Sequence, residues 1–140
     1  MQLLYPATID TEAGEFVVTC DDVPGVLAFG ETEAAALAEA REALGAMLLH
    51  MVANGEPIPT PSAHGTGPLV APHARDAVKL ALIAAVADAG ISKSELAARL
   101  GRDEAIARRL LDPRHASRLE LMEQALAALG HELLISSRAA

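Results

Sequence analysis

The chain has 140 residues, with 19 acidic against 11 basic side chains, a net charge of −8 and 51% hydrophobic residues. This length fits one domain or two small ones, and so acidic a balance excludes a general nucleic-acid coat protein. Cys20 is the only cysteine, which excludes an intrachain disulfide and suits a reducing compartment, and no apolar run reaches the roughly 18 residues that span a bilayer.

Residues 2–9 and 15–20 read as two strands, joined by a hairpin turn of Asp10, Thr11, Glu12, Ala13 and Gly14. No secretory pattern precedes them, so the chain is expected to be soluble and cytoplasmic. Phe16, Val17, Val18 and Thr19 give the second run its β-type composition. Cys20 at its end reads as a small buried hydrophobe. Asp21, Asp22, Val23, Pro24 and Gly25 spell a turn, and residues 26–29 a third short strand closed by Gly30. A helix is expected from Glu31 or Thr32 to about Ala53, with Leu37, Ala40, Leu44, Leu48 and Met51 as its apolar stripe and Gly55 as its stop.

Residues 54–72 contain five of the eight prolines and three of the ten glycines, which predicts an extended linker with at most one short strand at Leu69 and Val70. Residues 73–89 form the next helical pattern, with Ala77, Leu80, Ala81, Ala84 and Ala87 expected toward a core. The expected division is a domain at 1–62, a linker at 63–72 and a second domain at 73–140.

The second domain opens on the most informative stretch of the chain. Ser92 is placed to cap a helix, Glu95 three residues later completes a capping box, and Leu96, Ala97 and Leu100 recur at helical spacing. Gly101 falls where the helix must stop and turn, and a second helix is expected from about Asp103 to Leu111. The pair reads as a helix-turn-helix. Asp112, Pro113, Arg114 and His115 form a loop, residues 117–129 another helix with Leu119, Met122, Leu126 and Leu129 on one side, and Leu133, Leu134 and Ile135 a last strand.

Charge divides along the same line. Residues 1–67 carry ten acidic side chains and one basic, Arg41, a net −9, whereas residues 68–140 carry nine acidic and ten basic, a net +1. Between Ser92 and Arg118 seven basic side chains face four acidic ones. The first part is suited to a basic partner and the second to a phosphate backbone.

Cys20-Asp21-Asp22-Val23-Pro24-Gly25-Val26 resembles the F-P-D-L-P-G-C/V segment of HicB antitoxins. Gly30-Glu31-Thr32, then Ala36 to Leu44 (ALAEAREAL), then Gly55 to Ser62 (GEPIPTPS) are similar to that family's G-D-T, A-L-x-N-A-x-E-A-L and G-x-x-I-P-x-P-S segments, in the same order. The resemblance covers residues 3–62, and several members append a helix-turn-helix domain. The chain departs from the pattern at Cys20, where the family has an aromatic residue, at Asp21, where it has proline, and at Glu39, where it often has asparagine.

The resemblance implies an α+β N-terminal domain, a truncated ribonuclease-H-like fold of antiparallel strands plus one long helix, joined to an all-α helix-turn-helix domain. It also implies that the first domain covers the active site of a HicA-type toxin, a small basic ribonuclease that cleaves mRNA using a histidine. The second would bind the operator DNA of its own operon as a homodimer or higher oligomer. Asp21, Asp22, Glu31, Glu33, Glu39 and Glu42 are the candidate toxin-binding residues; any one of them alone reads as solvated surface, but nine surplus charges together suit a basic docking face.

For DNA, Ser92 and Lys93 are candidate backbone contacts, and Asp103, Glu104 and Ala105 occupy the turn where base readers sit. Arg108, one turn on, is the candidate guanine contact. Arg109 is a phosphate contact or a salt-bridge partner, and Arg114, with His115 and Arg118, could grip the flanking backbone. Ala107 stands where the usual pattern has a branched apolar residue, so the register of this helix could shift by one. The run 133–135 could pair across a two-fold axis or pack on its own domain.

An enzyme is not expected. Nuclease chemistry on such a fold needs converging carboxylates; Asp10 could sit at the end of the first strand, but no acidic residue falls within the core of the second or third. The histidines at 50, 64, 73, 115 and 131 are scattered without ligand spacing, so neither a metal nor another cofactor is expected. The competing reading is a stand-alone helix-turn-helix transcriptional regulator whose N-terminal domain oligomerises or senses a ligand.

Overall fold

The computed structural model describes residues 1–63 and 65–139, so His64 lies outside the described residues. It divides into two units, 1–77 and 78–140.

In the first unit, β1 (Tyr5–Pro6) and β2 (Thr8–Glu12) are nearly one strand, interrupted at Ala7. β2 pairs antiparallel with β3 (Glu15–Thr19), which pairs antiparallel with β4 (Leu27–Gly30), giving the sheet order β2-β3-β4. The first strand therefore runs through Asp10, Thr11 and Glu12, which the sequence reading assigned to the turn. Glu12 pairs with Glu15, so the turn is only Ala13 and Gly14, with φ of 50° and 84°. Positive φ at both central residues is the mark of a type I′ hairpin, whose twist matches that of the strands.

α1 (Glu33–Ala53) packs on β3 and β4. Thr32 caps it, its side-chain oxygen accepting from the Ala35 N–H at 3.1 Å. Its buried positions are Ala36, Ala40, Leu44, Gly45 and Leu48, so the stripe is rotated slightly from the expected one, and Leu37 and Met51 are half-buried. The spacing of 36, 40, 44 and 48 lets small residues bring the helix close to the sheet. Gly30 belongs to the same contact, because a Cβ there would run into the Ala36 backbone.

The segment 54–72 is tied to this unit. Tyr5 Oη donates to Pro59 O at 2.7 Å, and Ser62 donates from N and Oγ to Asp22 Oδ2 at 2.9 and 3.0 Å. β5 (Leu69–Val70) pairs antiparallel with β1, Ala7 N donates to Pro68 O at 2.9 Å, and Arg41 Nε donates to Ala71 O at 3.2 Å. Prolines here fix an extended path along the unit, and the division falls inside the next helix.

That helix is α2 (Ala74–Ala89). Val78, Leu82, Ala85 and Val86 enter the core of the second unit, while Ala87 is exposed and Ala77, Ala81 and Ala84 are half-buried. Leu80 is fully buried as expected, but the alanines of the expected stripe give way to Val78, Leu82 and Val86, since branched side chains bury more apolar surface than alanine. α3 (Lys93–Leu100), α4 (Glu104–Leu110) and α5 (Leu119–Ala128) complete the core with Leu96, Ala97, Ala107, Leu110, Met122, Ala125 and Leu126. Leu119, expected inside, is 44% exposed. The strand expected at 133–135 is absent: the chain there is irregular, with Leu133 against the core and Leu134 and Ile135 each 81% exposed.

Replacing Ala13 by Asn, which tolerates the left-handed region, should stabilise the first unit by about 0.5–1 kcal/mol, a part of the roughly 1–2 kcal/mol left-handed penalty on alanine. Urea midpoints of the two proteins measure it, and an unchanged midpoint would mean the turn carries no strain.

Candidate functional site

α3 and α4 are joined by Gly101, Arg102 and Asp103. Ser92 caps α3, its Oγ accepting from Glu95 N–H at 3.1 Å. That leaves the hydroxyl proton free to be donated. Only half of the expected capping box forms, because Glu95 Oε1 instead accepts from Arg99 Nε at 3.0 Å. Gly101 ends α3 in the left-handed region, at φ 62°.

Asp103 caps α4, its Oδ1 accepting from Ile106 N–H at 3.0 Å, and Glu104 Oε2 accepts from Ser94 Oγ at 3.1 Å. Both acidic side chains at the head of α4 are therefore committed within the protein: one starts the helix and the other ties it to α3. Ala107 is fully buried with Leu110, which fixes the register left open by the sequence. The exposed side then carries Glu104 and, one turn on, Arg108, with Arg109 beside it and Ala105 half-buried. Among the described residues neither guanidinium of Arg108 and Arg109 has an ion-pair or hydrogen-bond partner. Lys93 is exposed at the start of α3. Arg114 is exposed in a turn in which its N–H donates to Asp112 Oδ1 at 2.9 Å.

The sequence reading missed the residue that holds this unit together. Lys79, on α2, is only 3% exposed. Its Nζ donates to Arg109 O at 3.0 Å, Leu110 O at 2.8 Å and Ser117 Oγ at 2.7 Å. The ammonium thus closes the carbonyl end of α4, where backbone acceptors and the helix dipole favour a cation. It also ties down the turn that carries Arg114. Burial lowers its pKa to about 8, with Asp112 pulling the other way. The available signal was a lone lysine three residues before Leu82, within an otherwise apolar helix face.

In the first unit the six candidate acidic residues do not behave alike. Asp21, Glu31, Glu33, Glu39 and Glu42 are exposed, whereas Asp22 is half-buried and occupied by Ser62. Glu42 also receives His73 Nε2 at 3.1 Å. Among the described residues Glu39 and Glu42 together line an open concavity of about 780 Å³ between β4 and α1. The sequence reading also missed two more residues that line it, Leu27 and Phe29, 55% and 44% exposed on either side of buried Ala28. Strand alternation was the signal available for them. Cys20 is buried as expected, and burial together with Asp22 and Asp21 raises its pKa to about 11, so it is a poor nucleophile. Asp10 sits exposed in the middle of β2 opposite Val17. No helix is long and apolar enough to cross a membrane, and no metal-competent cluster occurs among the described residues.

Residues 4–71 match the family described as the HicB-like antitoxin of bacterial toxin-antitoxin systems. The chain is 33% identical to "Antitoxin HicB" of Pseudomonas fluorescens strain Pf0-1, with 97% of this chain and 94% of that one aligned. It is 31% identical to "Antitoxin HicB" of Escherichia coli K12, with 92% and 95% aligned. Against "Antitoxin HicB 1" of Photorhabdus laumondii the identity is 30%, with 94% and 85% aligned. The crystal structure of the Burkholderia pseudomallei antitoxin HicB covers 81% of this chain and all of that one, at 20% identity and a TM-score of 0.45.

Lys79 gives a pH signature whose sign follows from linkage. Its unfolded pKa is near 10.5 and its folded pKa about 8, so between those values the unfolded chain holds a proton that the folded one has released. Stability then rises with pH across that window. Cys20, raised to about 11, and Tyr5, raised to about 12, act oppositely above their unfolded values of 9.0 and 10.0. The stability of wild type relative to Lys79→Met should therefore improve from pH 8 to 10.5 in urea titrations. A pH-independent difference would mean that the three acceptors keep the proton in place.

Proposed function

The chain belongs to the HicB-like antitoxin family of bacterial toxin-antitoxin systems, and we propose that it neutralises a HicA-type mRNA-cleaving toxin and represses its own operon. The observation that carries this reading is the charge division. A first unit with a large negative surplus is joined to a helical unit that presents unpaired arginines on a short, capped helix. An acidic surface accelerates and selects docking of a basic ribonuclease, and its carboxylates compete for side chains that would otherwise bind RNA. Glu39 and Glu42, with Asp21, Glu31 and Glu33, are the exposed carboxylates on offer. Asp22 serves by fixing the loop that presents Asp21.

At the operator, α4 enters the major groove. Arg108 reads a guanine and Arg109 contacts phosphate, since no carboxylate holds its guanidinium among the described residues. Ser92 and Lys93 at the start of α3, and Arg114 after α4, grip the flanking backbone. Asp103 and Glu104 support these contacts by capping α4 and tying it to α3, and Ala105 leaves room for a base edge. One such motif buries little DNA surface, so a homodimer or higher oligomer is expected, and the exposed Leu134 and Ile135 give it an apolar strip to bury. These roles place the protein in the cytoplasm and give it no reaction to catalyse.

Co-expression with a small basic HicA-type ribonuclease should yield a stable complex in which RNA cleavage is silenced. Operator retention with no such complex would favour a stand-alone regulator. Arg108→Ala should weaken operator binding by about 10- to 100-fold in a mobility-shift titration and relax base preference at one position. Arg109→Ala should weaken all sequences alike and lower the salt dependence.

A further inference from the structure

β4 is one of the two edges of its sheet, β2 being the other: β3 pairs along one side of β4, and among the described residues no strand pairs along its other side. Edge strands are usually guarded by lysine, proline or a bulge, because their free N–H and C=O groups template pairing. β4 has none of these. Leu27 and Phe29 project from one sheet face, large and exposed, while buried Ala28 faces the other way, toward α1. Along the same edge runs the concavity walled by α1, where Ala35, Ala38 and Ala43 leave room and Glu39 and Glu42 supply charge.

We propose that the toxin adds an extended segment to β4. This deepens the antitoxin reading and rests on it. Side chains of an added strand alternate, so one set would lie on Leu27 and Phe29 and the other over the alanines, within reach of the two carboxylates. The segment that fits therefore alternates apolar residues with lysine or arginine. Charge selects this occupant over a second copy of the chain. Pairing two β4 edges would bring both pairs of carboxylates together within domains that each carry ten acidic side chains against one basic among residues 1–67. A basic strand is attracted by the same charges, which thus protect the edge from self-pairing while leaving it open to the toxin.

The test uses the full-length protein and the purified toxin with its catalytic histidine replaced. Phe29→Lys and, separately, Ala38→Arg put a cation on either side of the edge. Both sites are exposed, and circular dichroism and the thermal midpoint check that each variant folds as wild type does. Each should weaken the toxin at least about 30-fold, the loss expected of a central interface residue. Amide exchange at Leu27–Gly30 should slow when toxin is added to wild type. Tight binding of wild type and both variants, with no new protection at β4, would overturn the proposal and leave the antitoxin reading standing. Failure of wild type to bind toxin would overturn both. Protection of β4 in the isolated protein, lost together with dimerisation in the variants, would assign the edge to a second copy and overturn it as well.

Discussion

A seven-residue helix does not hold together in water, because nucleation costs more than so few hydrogen bonds return. α4 is such a helix, and the second unit, to which we assign DNA reading, depends on how its ends are tied. Asp103 closes the N–H end, Glu104 links that end to α3 through Ser94, and the Lys79 ammonium closes the carbonyl end. Ala107 and Leu110 seat the middle on the core. What remains exposed, Arg108 and Arg109, is held in place by groups that need never touch a ligand themselves.

The same economy governs the acidic unit. Its carboxylates divide into those that build and those that are offered. Asp22 is spent inside, holding the proline-rich segment through Ser62, while Tyr5 holds the same segment through Pro59. Glu39 and Glu42 face solvent beside an unguarded strand edge. A negative surplus that is costly for the isolated domain through self-repulsion would become specificity toward the basic partner proposed for it.

Much of the architecture was legible because it is written in local rules. Thr32, Ser92 and Gly101 mark helix ends by capping chemistry that acts over three or four residues, and each acts at the place the sequence marks. The misread features depend on neighbours distant in the chain. Alanine is equally at home on either side of a helix, so the buried face of α2 became clear only once Val78, Leu82 and Val86 met α3, α4 and α5. Prolines in 54–72 look like a linker until Tyr5, Asp22 and Arg41 are seen holding that segment down. The apolar run at 133–135 has strand propensity but no strand beside it to pair with.

By itself the sequence determined the order of the helices and of the N-terminal strands, where helices start and stop, the split of charge between two halves and the family. These follow from residue type and short spacing. Only the tertiary structure decided which charges are free to act. Whether a carboxylate or an ammonium is a site or a support depends on what lies within hydrogen-bond reach of it, and for Asp22, Glu104 and Lys79 those partners stand ten to forty residues away along the chain.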